Sequence, residues 1–444
     1  MSGLDTLQLI IYHVKLILFS GDTLHVLLRF MPFILFLECP FQLLVMGGII
    51  HYFLRQKFYP PAEMPYYPSI SVIITCYSEG AEVRQSIRSI AEQCYPGDVQ
   101  IIAVIDGAAQ NKLTYDTAKK MVSTINQMPK RVLYVLPKWK RGGRVSSLNS
   151  GLQVSKHDYL LVLDGDSSCD NDVLMNAMNN FTDPNVLAVA GALRIRNAKK
   201  SLATRFQALE YMMAIHATKI ALNELNVVNN VSGAFGFFRK KILNRVQGWD
   251  SGTAEDLDMT VRLKNYFGTH PELKIAFEPN AMALTDGPDT WRGLLTQRLR
   301  WEGDLFYIYG RKHRHSFRPK QIGWMNFIIM FWTGLIFQLI FPLIIIGYLS
   351  YITYKYPFIT TVSVLFVAWL YYLISTVLLY IEHILLVSER KKYDLSFAWL
   401  LPFFPFYTFI MRVWAGIATI SELFLDAHQD TSMAPWWVLR KSKF

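Results

Sequence analysis

Tyr159-Leu-Leu-Val-Leu163-Asp164-Gly165-Asp166 is the stretch on which the fold turns. Its apolar run shows no polar alternation, the pattern of a strand covered on both faces. It stops abruptly on two carboxylates. Upstream the pattern repeats. Ser69-Ile-Ser-Val-Ile-Ile-Thr75 runs into polar Cys76-Tyr77-Ser78-Glu79, Val99-Gln-Ile-Ile-Ala-Val-Ile105 stops at Asp106-Gly107, and Val132-Leu-Tyr-Val-Leu136 follows. Helical patterns separate these runs. The expectation from about Pro68 to Tyr309 is therefore an α/β domain with a parallel sheet covered on both faces. In open sheets of this kind ligands gather at the carboxyl ends of the strands, where Glu79, Asp106, Asp164 and Asp166 fall.

The chain outside that domain is different. Of 444 residues, 52% are hydrophobic and 14% aromatic, with a net charge of +11. The cations cluster beside apolar segments, which fits anionic lipid headgroups, and nucleic acid is not an expected partner. Phe30 to Phe53, Ile322 to Ile352 and Pro357 to Val387 are each long enough to cross a bilayer. Arg390, Lys391 and Lys392 contrast with the lone Lys355 of the intervening loop, which places the α/β domain on the cytosolic side. Arg440, Lys441 and Lys443 point the tail the same way. Leu4 to Phe19 and Phe397 to Phe424, the latter broken by Pro402 and Pro405, read as segments that cross or lie along the interface. Phe206 to Leu225 reads as a helix packed in the core, with contact to membrane or substrate as the alternative. Pro60 and Pro61 open a linker. Domain limits are expected at 1–60, 61–310 and 311–444. Met1 to Asp5 offers no basic leader, so no removable signal peptide is expected. Cys39, Cys76, Cys94 and Cys169 lack metal-ligand or CxxC spacing, so neither a zinc site nor a disulfide framework is expected.

Several motifs carry candidate chemistry, each with a plainer alternative. Asp164 and Asp166 offer hard oxygen ligands for Mg2+ or Mn2+ bridging to phosphate, or form a solvated turn. Asp106 ends a strand where a base or ribose binds, or simply begins an Asp-Gly turn. Arg141-Gly-Gly-Arg144 suits phosphate, or is a flexible basic loop. Glu255-Asp256-Leu257-Asp258 precedes a helical pattern. Glu255 and Asp258 there complement the helix dipole, while Asp256 is the candidate general base. Gln297-Arg298-Leu299-Arg300-Trp301 lies on a helix with Gln297, Arg300 and Trp301 on one side. Arginine holds diphosphate in a fork and indole offers a flat face to a sugar, or the helix is an aromatic anchor at the interface.

Taken in order, Cys76-Tyr-Ser-Glu79, Asp106, Asp164-x-Asp166, Ala254-Glu-Asp256 and QRLRW resemble the family 2 processive glycosyltransferases. These make cellulose, hyaluronan, chitin oligosaccharides and poly-N-acetylglucosamine. Val231-Ser-Gly233, Glu255-Asp256 and QRLRW look most like the last of these. The resemblance implies a GT-A (Rossmann-like) cytosolic domain flanked by transmembrane and interfacial helices, an inverting transfer and a UDP-sugar donor. Tyr77, Glu79 and Asp106 would hold the uridine, with Arg144, Gln297, Arg298 and Arg300 also on the donor. Asp164 and Asp166 would serve donor and metal, and Asp256 would be the base. Trp301, Ser232, Gly233 and Glu255 would lie along the acceptor. It implies a multi-pass protein of a bacterial inner or plasma membrane that passes its polysaccharide across the bilayer, and leaves room for a small accessory membrane subunit. Ala254, Arg144 and Glu302 depart from the family's usual Thr, Lys and small residue, and Glu302 puts the product in question. The C-terminal tail is too short for the cyclic-di-GMP-binding domain of bacterial cellulose synthases, so direct control of that kind is not expected within this chain. The rival readings are a single-transfer lipid glycosyltransferase of the ceramide glucosyltransferase kind and an inactive subunit that only guides polymer.

Overall fold

Strands that are apolar throughout must be covered on both sides, and the computed structural model of the chain, which describes residues 3–19, 23–60, 64–250 and 254–425, builds such a layer. Its strands are β1 Ile70–Cys76, β2 Val99–Asp106, β3 Arg131–Lys138, β4 Tyr159–Asp164, β5 Ser168–Cys169, β6 Val186–Ile195, β7 Phe235–Arg239 and β8 Lys274–Thr285. They form one sheet in the order β3-β2-β1-β4-β7-β6-β8-β5. Ile73, Ile74, Ile101, Val104, Leu161 and Leu163 are fully buried in it. Pro61, Arg440, Lys441 and Lys443 lie outside the described residues.

The expected parallel direction holds for six of the eight strands, while β7 and β5 run against it. β3, β2, β1 and β4 run parallel. β7 then enters antiparallel between β4 and β6, so the sheet is mixed. Strand direction depends on which remote segments pair, and the apolar runs do not encode that. β3 also departs from expectation. It is an edge strand, with Val132 and Tyr134 facing solvent and Leu133 buried. The carboxyl ends of β1, β2 and β4 still share one edge of the sheet.

Four helices are long and apolar enough to cross a membrane: Ile34–Phe58, Trp324–Lys355, Phe358–Leu386 and Ala398–Phe424. The first runs beyond the expected Phe53, so Arg55 and Lys57 sit in its last turn, where cations complement the helix dipole. The prolines do not break the fourth helix. Pro402 lies in a 3-10 turn and Pro405 in the first turn of Phe404–Leu425, where no backbone donor is needed. The N-terminal helix Gly3–Phe19 is shorter than these four.

Two contacts seat the α/β domain on this bundle. The expected helix Phe206–Leu225 is observed as consecutive helical segments from Leu202 to Glu224. Its last part, Thr218–Glu224, packs so closely on Cys39–Phe58 that a Cβ on Gly48 would stand 2.5 Å from the Ala221 Cβ. Beside that contact, His51 and Arg55 both reach Glu224 at 2.7 Å. On the other side, Arg194 of β6 pairs with the fully buried Asp394 at 2.5 and 3.1 Å, and Ser388 donates to the same carboxylate. Removing one partner of a buried ion pair leaves an unmatched charge. Asp394→Asn should therefore lower stability by about 3 kcal/mol or more, read as a fall in the midpoint of thermal unfolding. An unchanged midpoint would show that the pair contributes nothing.

Candidate active site

Arg144 is the hub. It lies in the first turn of the helix Gly143–Val154, and that turn is pinned by Asp106 at the end of β2. Asp106 Oδ1 accepts from the Gly142 N–H and from Lys138 Nζ, both at 2.8 Å, and Oδ2 accepts from the Gly143 N–H at 2.9 Å. The buried Asp106 thus has both oxygens engaged in fixing this loop. The flexible basic surface loop is ruled out by that geometry.

From there the Arg144 guanidinium reaches three elements at once. It forms ion pairs with Asp164 at the end of β4 and with Glu255 at the start of the helix Glu255–Lys264, and donates to the Gly233 carbonyl at 2.5 Å. Burial lowers the Arg144 pKa, but the Asp164 and Glu255 carboxylates raise it further, so it stays charged. Gly233 lets these groups close in: a Cβ would stand 2.7 Å from Glu255 Oε1, which would have to move aside. Ser232 precedes it in the same turn, its carbonyl accepting from the Phe235 N–H.

Asp256 sits beside this hub. Its Oδ2 accepts from Asn230 Nδ2 and from the Gly233 N–H, each at 3.1 Å, and Oδ1 from the Leu257 N–H at 2.8 Å. Asp258, two residues along, does something else. It is fully buried and held by Arg262, Lys312 and His313, which keep it down at about 2 although burial alone would raise it. That lock ties the end of the QRLRW helix to the helix that carries Asp256.

At the ends of β1 and β4 the carboxylates crowd. The Gly165 N–H donates to the Thr75 carbonyl at 2.9 Å, and a Cβ there would collide with the Glu79 carboxyl group. Burial, reinforced by Asp166 and Asp164, pushes Glu79 up to about 7 although the Tyr77 N–H donates to it. Asp166 stays exposed at the rim, yet the surrounding protein strips water from its carboxyl group and this, with Asp164 next, pushes it upward. Tyr77 lies under Arg141, whose guanidinium is 4.6 Å from the ring centroid. Among the described residues no set of three or more acidic, His or Cys side chains stands ready to hold an ion alone. Asp164 and Asp166 nevertheless suit a Mg2+ or Mn2+ ion. They are hard oxygen donors that repel one another, and such ions bind through one or two carboxylates plus substrate phosphate.

QRLRW lies on the helix Trp291–Phe306. Arg298 donates to Glu210 at 2.7 Å and stacks 4.7 Å over Trp301, while Tyr407 donates to the same Glu210 oxygen at 2.6 Å. Arg298 therefore joins its helix to two others and orients Trp301. Arg300 forms no hydrogen bond or ion pair with a described residue. Gln297 Oε1 is buried without a partner. Burial pushes Glu302 up to about 7 against the pull of Arg298. Sequence reasoning missed Glu210, Asn230 and Lys219. Glu210 and Lys219 are polar residues in apolar helical segments, which was the available signal, whereas Asn230 lies in the loop beyond Thr218–Glu224 and carried none.

The family described as "Glycosyltransferase like family 2" matches residues 68–303. A poly-beta-1,6-N-acetyl-D-glucosamine synthase of Staphylococcus epidermidis is 27% identical over 331 residues, 71% of this chain and 76% of that protein. A synthase of the same name from Staphylococcus aureus strain COL is 28% identical over 263 residues, 58% of this chain and 60% of that protein. Among solved structures, a mannosyltransferase from Pyrobaculum calidifontis in complex with GDP-Man and Mn2+ superposes with a TM-score of 0.52 at 16% identity, covering 86% of this chain and 99% of that one. The architecture is accordingly GT-A-like, a mixed sheet with apolar helices attached.

Proposed function

Because the chain belongs to glycosyltransferase-like family 2, we propose that it is a membrane-embedded polysaccharide synthase that uses a UDP-linked sugar, UDP-N-acetylglucosamine foremost. The observation that carries this reading is the Arg144 clamp, which gathers Asp164, Glu255 and Gly233 around Asp256. The synthases named above support the choice of sugar.

In this reading the uridine lies against Tyr77, Glu79 and the loop pinned by Asp106. Asp164 and Asp166 would hold a divalent ion, which when bound would offset negative charge on the diphosphate. Arg144 and Arg300 meet the remaining diphosphate charge, with Gln297 beside them. Arg298 holds Trp301 where its ring stacks on the acceptor sugar, and Ser232, Gly233 and Glu255 line the acceptor's other side. Asp256 removes the proton from the acceptor's terminal hydroxyl. That oxygen bonds to the anomeric carbon from the face opposite the diphosphate. The bond from this carbon to phosphate breaks, its electron pair leaves with UDP, and the configuration inverts. Hydrogen-bonded base catalysis of this kind supplies roughly a hundredfold or more of rate.

The division into 1–60, 61–310 and 311–444 accompanies this reading, with 61–310 cytosolic and the polymer passing outward among the apolar helices. A small accessory membrane subunit is compatible with it. The test is incubation of the purified protein with a panel of labelled nucleotide sugars. Incorporation should be highest from UDP-N-acetylglucosamine, collapse on chelation and return with Mn2+ or Mg2+. Equal incorporation from guanosine-linked donors, or turnover indifferent to chelator, would contradict it.

A further inference from the structure

The helix Thr218–Glu224 carries a lysine where a core position is expected. Lys219 is buried, and burial lowers its pKa to about 8 against the pull of Asp256. Its Nζ donates to the Asn230 carbonyl at 3.0 Å and to the Asn230 side-chain Oδ1 at 3.1 Å. An ammonium has donors only, so it admits just one orientation of the Asn230 amide, with oxygen towards Lys219 and NH2 away from it. That NH2 donates to Asp256 Oδ2, which the Gly233 N–H also meets. A polar chain therefore runs from the helix, through one amide, to one oxygen of the carboxylate. The same helix rests on the first long apolar helix at Gly48 and Ala221.

We propose that Lys219 and Asn230 are positioning residues for the base, holding Asp256 by one oxygen and thereby aiming its carboxylate at the acceptor hydroxyl. This rests on the assignment of Asp256 made above. Neither residue touches substrate in this scheme; both act through Asp256. Other charges that bear on Asp256 are its neighbour Glu255, itself paired with Arg144, and Tyr309, which burial keeps neutral.

The test compares Lys219→Met, Asn230→Asp and Asp256→Asn, each checked by thermal unfolding and by calorimetric binding of UDP-N-acetylglucosamine. Lys219→Met should lower kcat by about tenfold while leaving the donor KM within about twofold, because misaimed catalytic groups cost rate rather than binding. Asn230→Asp places a second carboxylate against the base, so the acidic limb of the kcat–pH profile should move up by about one unit. A merely structural role would lower kcat evenly across pH. If Lys219→Met does not fold, Lys219→Gln serves: it loses the charge but still donates to Asn230, and its acidic limb should move upward. Folded, donor-binding variants with wild-type kcat and an unmoved profile would overturn the proposal. If those variants are normal while Asp256→Asn is inactive, only the positioning claim fails. If Asp256→Asn itself turns over normally, the assignment of the base fails first.

Discussion

Asp256→Asn should give a folded protein that still binds donor yet releases UDP at least about a hundredfold more slowly. The substitution keeps the side chain's size. Its amide oxygen still accepts from Asn230 Nδ2 and the Gly233 N–H, as Oδ2 does now. What disappears is the capacity to take a proton, together with the acceptor that Oδ1 now offers to the Leu257 N–H. An unactivated sugar hydroxyl is a poor nucleophile, so the loss falls on kcat with donor affinity preserved. The measurement is initial rates of UDP release at saturating donor, beside calorimetric donor binding. Near-normal release would remove Asp256 from the chemistry.

Arg144→Leu should be equally damaging by a different route. It leaves the half-buried Asp164 and the buried Glu255 without the cation that now bridges them, and frees the Gly233 carbonyl. Stability should fall by about 3 kcal/mol. Donor binding should weaken together with turnover, because the carboxylates lose their placement. Arg144→Lys should rescue little. A single ammonium cannot reproduce a planar fork that meets three acceptors on three elements. Thermal unfolding and donor affinity measured on both variants check this, and a fully active Arg144→Lys would show that the fork geometry is immaterial.

The strands β1, β2 and β4 were legible because their evidence is local. Ile70 to Thr75, Val99 to Ile105 and Tyr159 to Leu163 announce buried strands by composition alone, and their polar ends mark the site edge. The reversed strand β7 was not. Phe235-Gly-Phe-Phe-Arg239 is a short run beside a loop, and only its pairing between β4 and β6 makes it a strand. The site divides along the same line. Asp164, Glu255 and Asp256 were visible as acidic clusters at element ends. Arg144 and Gly233 were named with them, but which groups they meet was not legible, and Glu210 and Lys219 were missed, because these contacts join residues far apart in the chain. Periodicity carries no information about which side chain a guanidinium meets. Arg298 illustrates the cost of that gap: its motif points to diphosphate, whereas its ion pair with Glu210 and its stacking on Trp301 make it a brace.

The claim on which the account depends is repeated sugar transfer at the site built around Arg144 and Asp256. It is tested most directly by sizing the product of purified protein in lipid nanodiscs supplied with labelled UDP-N-acetylglucosamine and Mn2+, with UDP release followed in parallel. The account predicts UDP released in step with sugar incorporated into long chains that linkage-specific hydrolases digest. UDP release accompanied only by free sugar, or by a lipid bearing a single added residue, would contradict it.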